Sequence, residues 1–266
     1  MRALPFLAVL LAATPAAAFT TAGERIELTF DVTAGARVAE MTLAYSATSQ
    51  GYEIATSQRS TGLLEWIVPW RSTTEVAGLF RGPESVPVSY RSQGTFRGNP
   101  RKVELFFEEG AVVRMETVPE NRDDDRDEVP AELRAGALDP VSAILATIRK
   151  ANDTGSCAAR VPVFDGRQRY DIVFEDMGVR DVPRHHASAF QGAARACEFH
   201  WVPIAGRKRN VNVTAANDRR GGVAYMAPIG VGNTQAPVRI EFHAWFGTVT
   251  GHLREIRRVP SAAQAR

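Results

Sequence analysis

The sequence predicts a mainly β protein: a curved antiparallel sheet or open β-barrel with one central α-helix packed on its concave face. Three observations carry that expectation. Most of the chain alternates apolar and polar residues with period two, the signature of half-buried strands. One stretch alone, opening at Asp139, carries a helical stripe. The strand-like segments follow one another at hairpin spacing, with no internal repeat and no linker long enough to divide them.

The first residues read as an export signal. Arg2 gives a positive start, residues 4–13 form an apolar run, and Ala16-Ala17-Ala18 supplies small residues for cleavage after Ala18. A membrane anchor needs about 18 or more apolar residues, and Thr14 and Pro15 interrupt the run first. Residues 1–18 are therefore read as a signal peptide and residues 19–266 as a single β-rich domain, delivered to the periplasm. A net charge of +2 gives no general attraction to nucleic acid.

From residue 24, Ile26, Leu28, Phe30 and Val32 alternate with polar neighbours, and residues 33–36 make a turn. Strands are expected at 38–45 and 51–59. Residues 62–70 (GLLEWIVPW) break the rhythm and carry Trp66 and Trp70. They read either as a connector tucked under the sheet or as an apolar lip that touches a cavity, lipid or a partner; tryptophan suits the second because its N–H can stay wet. Strands resume at 71–81, 86–97, 101–108 and 111–117, with a turn at Gly98-Asn99-Pro100. Residues 119–130 hold five acids in six positions from Asp123, but an EF-hand needs glycine at position six and glutamate at twelve, where Glu128 and Arg134 stand. A solvated acidic loop is expected.

Asp139 and Pro140 form a favourable helix start, a capping carboxylate followed by a proline that loses no hydrogen bond. Val141, Ile144, Leu145 and Ile148 then make an apolar stripe expected to pack on the sheet, and Asn152 is the expected stop. Cys157 and Cys197 are the two cysteines, and in an oxidising compartment an even pair reads as a disulfide. Asp165-Gly166 signals a hairpin into a strand at 167–175. Residues 179–191 look irregular and hold His185-His186; further strands are expected at 195–204, 222–228, 236–246 and 248–256.

A search for chemistry returns little. No nucleotide-binding loop and no serine-hydrolase elbow occurs. Ser142, in the first helical turn, is read as a packing residue. The histidines 185, 186, 200, 243 and 252 lack metal-ligand spacing, and adjacent His185 and His186 would point apart on a strand. Asp165 and Asp171 fit best as turn and strand-end residues binding backbone N–H groups or pairing with Arg167 and Arg169. Basic clusters at 207–209, 219–220 and 254–258 read as surface charge, or as contacts for anionic lipid. No cofactor, metal or catalytic residue is expected.

The helix start Asp139-Pro140-Val141-Ser142-Ala143 and the run Val163 to Asp171 (VFDGRQRYD) resemble the paired signature of a bacterial family of exported proteins of unknown function. In that family a cysteine precedes the hairpin and another follows, and strands like Pro237-Val238-Arg239-Ile240 and Phe246-Gly247 close the domain. Asp139, Pro140, Asp165, Gly166, Arg169, Tyr170 and Asp171 carry this structural motif here. The family's architecture resembles the half-barrel with a helical plug of periplasmic lipoprotein carriers. By analogy, the resemblance implies binding of a lipid-like or other apolar envelope component. With export, one helix against many strands and the tryptophan segment, the chain is read as a non-enzymatic monomeric binding module, with Trp66, Trp70, Ile144 and Ile148 as the expected ligand-facing residues. The alternatives are an envelope assembly partner without a small ligand, or an envelope hydrolase.

Overall fold

The computed structural model describes residues 24–121, 125–209, 221–244 and 247–259. The expected signal peptide, the middle of the acidic loop, Arg219-Arg220 and Phe246 lie outside the described residues. The N-terminal half is a meander: β1 (Arg25–Ala34), β2 (Ala36–Ala47), β3 (Gly51–Ser60), a short helix α1 (Leu63–Ile67), β4 (Trp70–Arg81), β5 (Glu84–Phe96), β6 (Asn99–Glu108) and β7 (Ala111–Val118). Helices α2 (Ala131–Arg134) and α3 (Pro140–Thr154) follow, then β8 (Ala159–Phe164), β9 (Arg169–Val182), β10 (Gly192–Ala205), β11 (Gly221–Ala227), β12 (Ala236–Ala244) and β13 (Gly247–Val259).

Among the described residues all thirteen strands form one antiparallel sheet, running from β7 down to β1, across to β13, and on to β8. The last strand returns beside the first, Arg25 opposite Val259, so the two halves share one sheet. Alternation decides the inner face, where Ile26, Leu28 and Phe30 are buried while Glu27, Thr29 and Asp31 look outward. The edges β7 and β8 do not pair, which leaves an open barrel. Side chains tie that seam instead. The Asn121 amide donates to the Gly166 carbonyl at 3.0 Å, and Arg167 donates to the carbonyls of Val118 and Pro119 at 2.9 and 3.1 Å. Gly166, at φ +87°, turns β8 into β9 so close to β6 that a Cβ there would collide with Val103.

Helix α3 fills the interior, touching β4, β5 and β8, strands far apart in sheet order. Asp139 caps it, its Oδ1 accepting from the N–H groups of Val141 and Ser142 at 3.0 and 2.9 Å. The helix runs past Asn152, whose Oδ1 accepts from the Gln235 N–H, and stops at left-handed Gly155. The expected stripe is also redrawn. Ser142, Ala143, Leu145, Thr147 and Ala151 are buried, whereas Ile144 is 48% exposed. A helix wedged between two strand walls buries two flanks, and the short side chains there permit close approach. One core joins Leu145 to Tyr52, Tyr90, Leu105 and Phe164. The disulfide Cys157–Cys197 pins the connection after α3 to β10 and packs with Ala151, Met226 and Ile148.

The expected irregular stretch at 179–191 is shorter than that, since β9 continues to Val182 opposite Gly192. Asn99 and Pro100 likewise belong to β6 rather than to a turn, Pro100 lying opposite Thr95. No helix among the described residues is long and apolar enough to cross a membrane.

Candidate functional site

Three places bring the candidate residues together. The first is the capped start of α3. Asp139 is fully buried and its Oδ2 has no hydrogen-bond partner. Burial pushes this carboxyl from its ordinary 3.8 up to about 6, against the Ser142 hydroxyl and the backbone N–H groups, which favour its charged form. Beside it the Ser142 hydroxyl and the Tyr52 phenol share a 2.7 Å hydrogen bond, both sealed from solvent. Ser142 therefore faces a phenol that burial keeps neutral, in a packed core. This node holds the helix against β3.

The hairpin motif has a similar character. Asp165 Oδ1 accepts from the N–H groups of Arg167 and Gln168 at 2.8 and 2.7 Å. Burial raises Asp171, and the guanidinium groups of Arg169 and Arg160, each at 2.6 Å, outweigh it and hold that carboxyl low. The Arg169 guanidinium also donates to the Leu133 carbonyl, and Tyr170 packs on the β8–β10 core. These residues clamp the β8–β9 turn to the seam.

The second place is the turn at α1. Leu63, Trp66 and Ile67 are 82%, 88% and 71% exposed, and α1 buries none of its residues. Val68 and Pro69 follow, and Trp70 begins β4 opposite Phe96, itself exposed. The Pro69 carbonyl accepts from the Arg97 N–H at 2.8 Å, and the Arg97 guanidinium lies over the Phe96 ring. The connector is thus a projecting lip. Of the four expected ligand-facing residues, Trp66 and Trp70 belong to it; Ile144 and Ile148 do not, since Ile144 faces solvent on α3 and Ile148 packs on the disulfide.

The third is a groove of about 680 Å³ along the open seam, bounded by α3, the start of β5 and the free edge of β8. Leu138 already bonds to that edge, donating to Pro162 and accepting from Phe164. Farther along the sheet, His185 and His186 sit in the loop before β10. They lie 4.3 Å apart between ring centroids, and His185 stacks on His252 at 3.9 Å, so the expectation that they diverge on a strand is corrected. Among the described residues no cluster has metal-binding geometry.

Residues 27–254 match the sequence model of DUF3108, a family described as a protein of unknown function. The chain belongs to this family. Its span takes in α1, α3, the disulfide and the seam hairpin. Among solved structures, a beta-barrel-like protein of the domain of unknown function DUF1849 from Brucella abortus is similar with a TM-score of 0.53, at 9% identity over 88% of this chain and 98% of that one. At that identity the likeness shows the fold alone. A "putative lipoprotein" from Parabacteroides distasonis aligns over 88% of this chain and 95% of its own at 9% identity, with a TM-score of 0.31. No curated protein matches the chain.

Sequence reasoning singled out the lip through its two tryptophans but not Phe96, which only the β4–β5 register brings beside it.

Proposed function

We propose that this DUF3108 protein is a non-enzymatic, monomeric binding module of the bacterial periplasm, which meets a lipid-like or other apolar envelope component through the α1 lip. The carrying observation is the exposure of Leu63, Trp66 and Ile67 together on one turn. Each such side chain favours an apolar environment by about 1.5–3 kcal/mol, so leaving three in water is costly unless something covers them. Tryptophan at an interface keeps its N–H hydrated while its ring is buried. The filled interior around α3 supports contact at the rim rather than an enclosed ligand.

The test is tryptophan fluorescence of the full mature chain with phospholipid vesicles. The reading expects a blue shift and quenching by brominated lipid, both absent in Trp66→Ser. A wild-type spectrum indifferent to vesicles overturns it.

The seam favours a second reading, an envelope assembly partner. The edge of β8 at Ala159–Val161 borders the groove, and an extended segment of another protein would add there as a strand. Arg160→Pro, which removes an edge N–H, would then abolish complex formation and leave vesicle binding intact.

A further inference from the structure

Three imidazoles meet on the outer face of the sheet. His252 is buried on β13, opposite Asp31 of β1 and Arg239 of β12. Residues 183–191, between β9 and β10, fold back over it. The His185 ring lies parallel to the His252 ring at 3.9 Å, and the His186 ring lies 4.3 Å from that of His185. The His185 Nδ1 accepts from the Ala187 N–H at 3.2 Å, a bond that a protonated ring, which has only donors, cannot make. Two further contacts fasten the segment. The Ala189 N–H donates to the Leu253 carbonyl at 2.6 Å, where β13 bulges so that Thr29 pairs with Glu255 and Phe30 with Leu253. Phe190 packs on the core of Phe30, Val238 and Leu253.

The carboxylates around these rings are already taken. Arg37 and Arg254 each pair with both Asp31 and Glu40, Arg59 also reaches Glu40, and Arg239 pairs with Glu241 at 2.6 Å. A groove of about 700 Å³ between the segment, the β1–β2 turn and β12–β13 holds Arg37, Arg239 and Arg254 with the three histidines, and Asp31 is its single acid among the described residues. A proton added to any of the rings is therefore surplus positive charge facing guanidinium groups. Burial first, then His185, Arg239 and His186, holds His252 down from 6.5 to about 4, with Asp31 opposing them. Burial, His186 and Arg239 hold His185 low as well.

We propose that residues 183–191 form an acid-released latch: neutral His185 stacked on neutral His252 holds the segment against β13, and protonation of the rings lifts it, uncovering the β13 bulge and the seat of Phe190. Histidine is the side chain whose charge ordinarily changes between about pH 5 and 8. Two neutral rings in van der Waals contact become a like-charge pair once both carry protons. Because His252 is held low in the closed state, its contribution to closure is complete above about pH 6.5 and is lost as pH falls towards about 4. The latch is independent of the apolar lip, since no residue of α1 takes part in it.

The experiment is hydrogen–deuterium exchange of the full mature chain. It reads the protection factor of the Ala189 amide, corrected for the intrinsic exchange rate at each pH, against that of the Val76 amide in β4. If opening restores His252 to 6.5, its closed-state value of about 4 costs Ala189 about 70-fold in protection between pH 7.5 and 4.5. Val76 should show no such loss. His252→Phe keeps a ring under His185 and removes the titrating group, so its Ala189 protection should stay level over the same range. Wild-type Ala189 protection that follows Val76, or a His252→Phe variant that keeps the full wild-type loss, overturns the proposal. Should His252→Phe not fold, His185→Gln gives the test from within the segment. Removing the ring that seals His252 should raise the His252 imidazole midpoint, followed by NMR, and lower Ala189 protection at neutral pH. A midpoint unchanged from wild type overturns the proposal.

Discussion

Replacing Asp139 by asparagine probes the most unusual buried group in the protein. Its carboxyl is sealed at the start of α3 with one oxygen unpartnered, and burial lifts it from 3.8 to about 6. A carboxyl raised in the folded state binds its proton more tightly there than in the unfolded chain. Its contribution is therefore fully present below about pH 4 and is lost as pH rises through about 6. At 1.36 kcal/mol per pH unit the loss amounts to about 3 kcal/mol. Asparagine keeps the capping oxygen for Val141 and Ser142 and carries no charge to desolvate. Urea unfolding of wild type and Asp139→Asn, followed by far-UV circular dichroism from pH 3.5 to 7.5, should show the variant gaining on wild type by about 3 kcal/mol across that window. The difference between proteins matters, not the wild-type curve. Burial, with His185 and Arg239, pushes His252 down from 6.5 to about 4, so its contribution is lost as pH falls through the same range. A variant-to-wild-type difference that stays constant with pH would refute the reasoning about Asp139.

Other outcomes follow from the same contacts. Ser142→Ala strands the buried Tyr52 hydroxyl and should cost about 1–3 kcal/mol in urea unfolding, with Ser142→Ala/Tyr52→Phe recovering part of it. Cys157→Ser/Cys197→Ser opens a loop of 40 residues, and should lower the urea-derived stability by about 3–4 kcal/mol on the chain-entropy account. Gly166→Ala places a side chain at φ +87° against Val103, and should cost about 1–3 kcal/mol from the backbone alone, read out by the same assay.

Much of this fold was legible locally. The alternation at Ile26, Leu28 and Phe30, the Asp139-Pro140 helix start, the Asp165-Gly166 turn and the cysteine pair each depend on neighbours in sequence or on simple covalent chemistry. The sequence determined strands, turns, one helix and one disulfide for that reason. It did not determine which flanks of α3 would be buried, because an isolated stripe assumes a single packing surface, and the rolled sheet offered two. Nor did it separate a tucked connector from a projecting lip at Trp66, since an apolar turn reads alike in either place.

The row of charged residues on the outer face, where Asp31 stands opposite Glu40, Glu40 opposite Arg59 and Arg59 opposite Arg71, is the clearest case of a feature only tertiary structure decides. Asp31, Glu40, Arg59 and Arg71 are each an ordinary outward residue of its own strand, and their meeting depends on hairpin registers that a one-residue slip would reverse. Periodicity tells which face a residue takes. Register, fixed by the packed interior and the turns together, decides what stands beside it, and that is what sets two arginines side by side at the foot of the apolar lip.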